Sequence, residues 1–222
     1  MQYSKFIKIL QEHAEEDFAN FQKRLIFTNR GILGIRTPLL RQLAKEYSGS
    51  LDELFSYPNE YYETVFIKLT VASHLPYDEF INRLEVCVKL IDNWALCDTF
   101  KCKAIVKHKE EFLPVLEKLF LDGSEFHQRY VLVSLISYYV DEQYLPQIQG
   151  YILRANTQYY YVHMAVAWLI AEVLIKHYDQ GLLLLNAIKK DRKTHNKAIQ
   201  KAIESYRFTK EQKDFLRSLK IK

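Results

Sequence analysis

Apolar residues along this chain recur at intervals of three and four, the period of a helix with one buried face, and nowhere alternate as they would along a half-buried strand. Short polar breaks interrupt the pattern, and glycine and proline are scarce. Thr37-Pro38 places a hydroxyl and then a proline at a helix start, opening an element over residues 37–47. Pro58 and Pro76 read as two further starts, with residues 61–74 apolar at helical spacing between them. Ser124 follows Gly123 and caps a run over residues 125–140, while Thr209 with Gln212 fits a capping box for the last helix. The spacing predicts roughly ten to twelve helices joined by short connections, as between antiparallel neighbours.

The segment over residues 159–178 is the most informative of these. Val162, Val166, Leu169 and Val173 form one tight stripe, and Trp168 lies off it with Ala165 and Glu172. A helix with two usable faces belongs inside a layered array, with one face left over for a ligand. The expected fold is therefore all-α, a HEAT-like α-α superhelix of antiparallel helix pairs forming one domain over residues 1–222. A globular helix bundle is the alternative.

Composition excludes several classes. No apolar run reaches the 18 or so residues of a membrane span. Residues 1–10 carry two lysines and no apolar core, and read as the start of a helix and not as a secretory leader. Cys87, Cys97 and Cys102 are odd in number and contain no CxxC, which fits buried thiols in a reducing cytoplasm. The seven histidines show no HxxxH or HExxH spacing, so neither a metal nor another cofactor is expected. Net charge is +4, but residues 189–222 hold twelve Lys or Arg against four Asp or Glu. That leaves a slightly acidic body with a basic end, an arrangement suited to a polyanionic partner or simply to a solvated terminal helix.

Three places carry candidate chemistry. Trp94 and Asp98, in NWALCD, stand at i and i+4 on one helix face. A core tryptophan beside a capping aspartate would give the same spacing. Arg129 precedes the apolar run YVLVSLI and needs a carboxylate, a phosphate oxygen or an outlet to solvent, because an unpaired buried charge costs several kcal/mol. Trp168 and Glu172 repeat the tryptophan-to-acid spacing.

Taken in order, NWALCD, Arg129 in HQRYVLV and Trp168 in MAVAWLIAE resemble the AlkD-type DNA alkylation repair glycosylases. So do the early GIRTPLLRQLAKE (residues 34–46) and the late THNKAIQKAIESYR (residues 194–207). The resemblance covers nearly the whole chain. It implies a HEAT-like solenoid with a concave surface for duplex DNA carrying N3- or N7-alkylated purines, whose N-glycosidic bond is hydrolysed. It also implies a site built from Asp98 as the catalytic carboxylate with Trp94, Trp168 and Arg129. DNA contacts would come from Arg36, Lys193, Lys197, Lys201 and Arg207. The three lysines recur every four residues, with Ile199, Ala202, Ile203 and Tyr206 expected on the inward side. Arg36 stands where that family's usual pattern has an amide, and Leu25 where it has an aromatic, with Phe27 two residues on. A monomer, with no metal, no organic cofactor and no membrane, completes the expectation. Two other functions remain open at this point: a catalytically silent module for damaged or branched DNA, and a protein-interaction scaffold.

Overall fold

The computed structural model describes residues 3–222, and these contain fourteen α-helices and no strand beyond one isolated bridge between Gly31 and Tyr61. The chain divides into two compact units, one ending at His108 and one spanning Lys109–Lys222. The first holds α1 (Tyr3–Glu12), α2 (Glu16–Lys23), α3 (Thr37–Glu46), α4 (Leu51–Ser56), α5 (Tyr62–Ala72), α6 (Tyr77–Lys89) and α7 (Trp94–Thr99). The second holds α8 (Lys109–Asp122), α9 (Glu125–Tyr138), α10 (Leu145–Arg154), α11 (Tyr160–Lys176), α12 (Tyr178–Ala187), α13 (Arg192–Glu204) and α14 (Lys210–Ser218). The helix expected over residues 1–10 is α1, and the first two of those residues lie outside the described ones.

Each unit is organised around a helix with little exposed surface. In the first unit α5 is buried continuously from Tyr62 to Leu69 and packs against α3, α4, α6 and α7. In the second unit α11 is packed by α9, α12 and α13, with Val162, Val166, Leu169 and Val173 wholly buried. Gly181 lets α12 approach closely, since a Cβ there would lie 2.6 Å from Leu174 Cα and from its Cγ. Such enclosure explains why apolar residues on α5 and α11 extend well beyond a single stripe. Each apolar side chain buried this way contributes about 1.5–3 kcal/mol.

Local chemistry agrees with the sequence at some helix ends and departs from it at others. Thr209 Oγ1 accepts from the Gln212 amide at 3.2 Å and Gln212 Oε1 accepts from the Thr209 amide at 3.0 Å, completing the capping box. Pro76 immediately precedes α6 as expected. Pro58 does not start a helix: it follows the end of α4 by two residues, where its fixed φ stops the chain from continuing. At Thr37 the capping position falls one residue earlier, on Arg36, so the hydroxyl sits inside the first turn. Ser124 does precede α9, but its hydroxyl bonds His127 Nδ1 at 2.6 Å and not a backbone amide.

Two buried ionic side chains stitch loops onto α5. Lys68 is buried and donates to the Tyr57 carbonyl at 2.5 Å and to Asn59 Oδ1 at 2.8 Å, and burial pulls its pKa down to about 8. Glu63 is the second, and it leads directly to the candidate site.

Candidate functional site

The loop before α3 is held from beneath. Glu63 Oε1 accepts the amides of Leu33 at 3.0 Å and Gly34 at 2.9 Å. Burial raises the pKa of this carboxyl, against the pull of those backbone donors. Gly34 has φ +81°, and a Cβ there would come within 2.3 Å of the Glu15 carbonyl oxygen. Only glycine fits. The loop delivers Arg36 to the surface, where its guanidinium pairs with Glu15 at 2.7 Å and lies 3.8 Å from the centre of the Phe18 ring. Arg36 is therefore a charge already matched by a carboxylate and stacked on an aromatic.

Trp94 opens α7, a six-residue helix too short to be stable by itself. Its fixity comes from outside. Asn93 accepts the Leu96 amide at 3.1 Å as N-cap, and its amide donates to Asp92 Oδ1 at 2.7 Å. The other oxygen of Asp92 pairs with Arg30 at 2.5 Å and accepts from Thr28 at 2.6 Å. Arg30 also donates to the carbonyls of Asn59 and Leu90. The indole N–H of Trp94 donates to the Leu25 carbonyl at 2.9 Å, while 39% of the residue stays exposed beside a turn that shows Leu25 and Phe27 to solvent. Asp98 lies one turn further along α7 and is half-buried.

In the second unit, the first turns of α9 grip the start of α11. Glu125 accepts the Tyr161 amide at 2.7 Å, and Gln128 accepts the Asn156 amide at 2.8 Å. Arg129 is buried, donates to the Tyr161 carbonyl at 2.8 Å and sits 5.6 Å from that ring's centre. Of the options the sequence left, an outlet to solvent is excluded.

The one partly exposed ridge of α11 runs through Met164, Trp168 and Glu172. Trp168 donates its indole N–H to Glu172 Oε1 at 3.2 Å, and the same oxygen pairs with Arg207 at 2.9 Å. Arg207 thus belongs to the Trp168 cluster.

Along α13, Thr194, His195, Ala198, Ile199 and Ala202 are buried, whereas Lys193 is exposed and Lys197 and Lys201 are half-buried. Asp191 caps this helix by accepting the Thr194 amide at 3.1 Å and the Thr194 hydroxyl at 2.5 Å. Burial works against ionising Asp191, yet hydrogen bonds from Thr157 and Thr194 outweigh it and hold its pKa down. Thr194 Oγ1 also meets His163 Nδ1 at 2.9 Å. Burial lowers the pKa of His163, and the charges of Lys193, Lys197 and Lys201 all push it the same way. Spaced four residues apart, the three lysines share one side of α13. Tyr206 departs from the expected inward set: α13 ends at Glu204, the helical period lapses, and Tyr206 is 92% exposed. Phe208 turns inward in its place and packs near Tyr178.

The predicted residues thus fall into two groups. Trp94, Asp98 and Arg36 belong to the first unit, and Arg129, Trp168, Lys193, Lys197, Lys201 and Arg207 to the second. Sequence spacing gave no sign of Arg30, Asp92 and Asn93 as the mounting of α7, or of Glu63 as the anchor of the glycine loop. The partners of Arg30, Asp92 and Glu63 lie some 30 to 60 positions away.

Buried helices that leave a tryptophan–acid pair on each unit, with a helix carrying three lysines at four-residue spacing, define an all-helical protein. The chain belongs to the DNA alkylation repair enzyme family, whose sequence model matches residues 6–206. A comparison with curated proteins found no match. Membership gives the protein a role in DNA repair. Among the described residues, no helix is long and apolar enough to cross a membrane.

Proposed function

We propose that this protein hydrolyses the N-glycosidic bond of N3- or N7-alkylated purines in duplex DNA. The observation that carries this reading is the mounting of α7. A short helix is pinned by the Arg30–Asp92–Asn93 network, its indole is tied to the Leu25 carbonyl, and a carboxylate stands one turn away. That amount of fixation supports a preorganised site better than it supports an incidental helix face.

An alkylated purine is already cationic and leaves as a neutral base, so no strong general acid is needed. Positive charge grows instead on the deoxyribose. Asp98 supplies a fixed negative charge to stabilise it and orients or deprotonates the attacking water. The exposed part of Trp94 and the ridge position of Trp168 offer π-faces to the cationic sugar or base and exclude water from it. Arg129 holds the α9–α11 junction that carries the Trp168 ridge. Lys193, Lys197 and Lys201 contact backbone phosphates without reading sequence.

Incubating the protein with methylated duplex DNA and following free purine by chromatography tests the reading. Time-dependent release of alkylated base is the expected result. DNA binding without any release would reduce the protein to a binding module.

A further inference from the structure

One cleft within the first unit is lined by neither Trp94 nor Asp98. It has a volume of about 1030 Å³ and is bounded by α3, the C-terminal end of α5 and the segment following α7. Four cations line it, Arg41, Lys45, Lys101 and Lys103, and no acidic side chain does. All four are exposed, and among the described residues none is held in an ion pair. Arg30, Arg36, Arg83 and Lys89 elsewhere in the unit each have a carboxylate partner, whereas here four cations share one cleft with none. Gathering four like charges without counter-charge raises their mutual repulsion, which an anion in the cleft would relieve.

The rest of the lining narrows the chemistry. Thr70, Ser73 and Thr99 donate their hydroxyl protons to the helix carbonyls of Phe66, Thr70 and Ala95, leaving oxygen lone pairs towards the cleft. Donation to an anion therefore falls to the four cations. Phe66 and Val71 are buried in its wall, Leu75 is half-buried, and the exposed ring of His74 is steadied through Nδ1 by the Thr70 carbonyl at 2.8 Å. Cations beside apolar and ring surfaces match a chain of phosphates joined to sugars and flat bases better than they match an inorganic ion. A cleft of this volume has room for a few linked nucleotides of one strand.

We infer that this cleft binds a single-stranded segment of nucleic acid, such as a tail extending from a duplex. The inference rests on nucleic acid being the partner, as proposed above. It is independent of whether Asp98 supports turnover.

Fluorescence anisotropy on two undamaged substrates tests it, a blunt duplex and the same duplex with a single-stranded tail. For the wild type, the tail is expected to tighten binding by about tenfold at low salt and to steepen the salt dependence by about 2 to 3 in logarithmic slope. In R41Q/K45Q/K101Q/K103Q the gain from the tail should vanish, with blunt-duplex affinity and melting temperature little changed. Replacing the three lysines by arginine should preserve the gain. Equal wild-type affinity for blunt and tailed duplex would overturn the inference without any variant. A tail gain that survives in the quadruple variant would overturn it too. Base release from blunt methylated duplex is a separate readout, so failure of the glycosylase reading and failure of this one are distinguishable.

Discussion

Trp94 and Trp168 each stand four residues before an acid, and the two pairs are built in opposite ways. Trp168 lies on a seventeen-residue helix buried by its neighbours, and its indole N–H is given to its own acid, Glu172. Arg207 then takes up the same carboxylate oxygen. Trp94 lies on a six-residue helix that depends on a cap and an ion-pair network, and its indole N–H turns away from Asp98 to a backbone carbonyl 69 positions earlier. One spacing thus yields two kinds of acid. Glu172 is a positioning group, engaged with the aromatic it follows and with an arginine. Asp98 is not engaged by its tryptophan, and this separates the candidate catalytic carboxylate from its counterpart on α11.

The comparison can be broken most directly at the acids. Asp98→Asn should lower base release by 100-fold or more, the range for losing one preorganised charge or base. Glu172→Ala should lower it less than about tenfold while shifting the fluorescence of Trp168, because the indole and Arg207 lose their shared acceptor. Comparable losses in the two variants would erase the distinction. A smaller effect is expected from Asn93→Ala. It removes the cap of α7 and strands the Leu96 amide, costing about 1–2 kcal/mol by urea denaturation. It should also weaken release, since the mounting of Trp94 loosens. Unchanged release in a destabilised Asn93→Ala protein would separate the network from the site.

The smallest effect concerns the second unit alone. His163 has a folded pKa below its ordinary value, from burial first and then from the three lysines. The unfolded chain therefore binds the proton more readily, and stability falls as pH drops below about 6.5 towards the folded value. His163→Gln should flatten that loss by a few tenths of a kcal/mol for each pH unit. If the lysines contact phosphates, bound duplex offsets their charge and the NMR titration of His163 moves upward. A titration unmoved by DNA would take Lys193, Lys197 and Lys201 out of the interface.

Much of this arrangement could be read along the chain, because it depends on local periodicity. The all-α class, the capping box at Thr209, the lysine repeat on α13 and both tryptophan–acid spacings are set by neighbours within a turn or two. What could not be read depends on pairing across distance. Arg36 meets Glu15, Glu63 meets the loop at Gly34, and Arg30 meets Asp92 only because folding brings distant positions together. Tyr206 shows the converse, a residue that keeps the right register after the helix carrying that register has ended.

The central claim is that the pair on α7 supplies the reacting carboxylate. Single-turnover release of alkylated purine by Asp98→Asn, at saturating methylated duplex and with affinity measured alongside, tests it most directly. The account predicts a loss of 100-fold or more with affinity nearly unchanged. Release at the wild-type rate would contradict it.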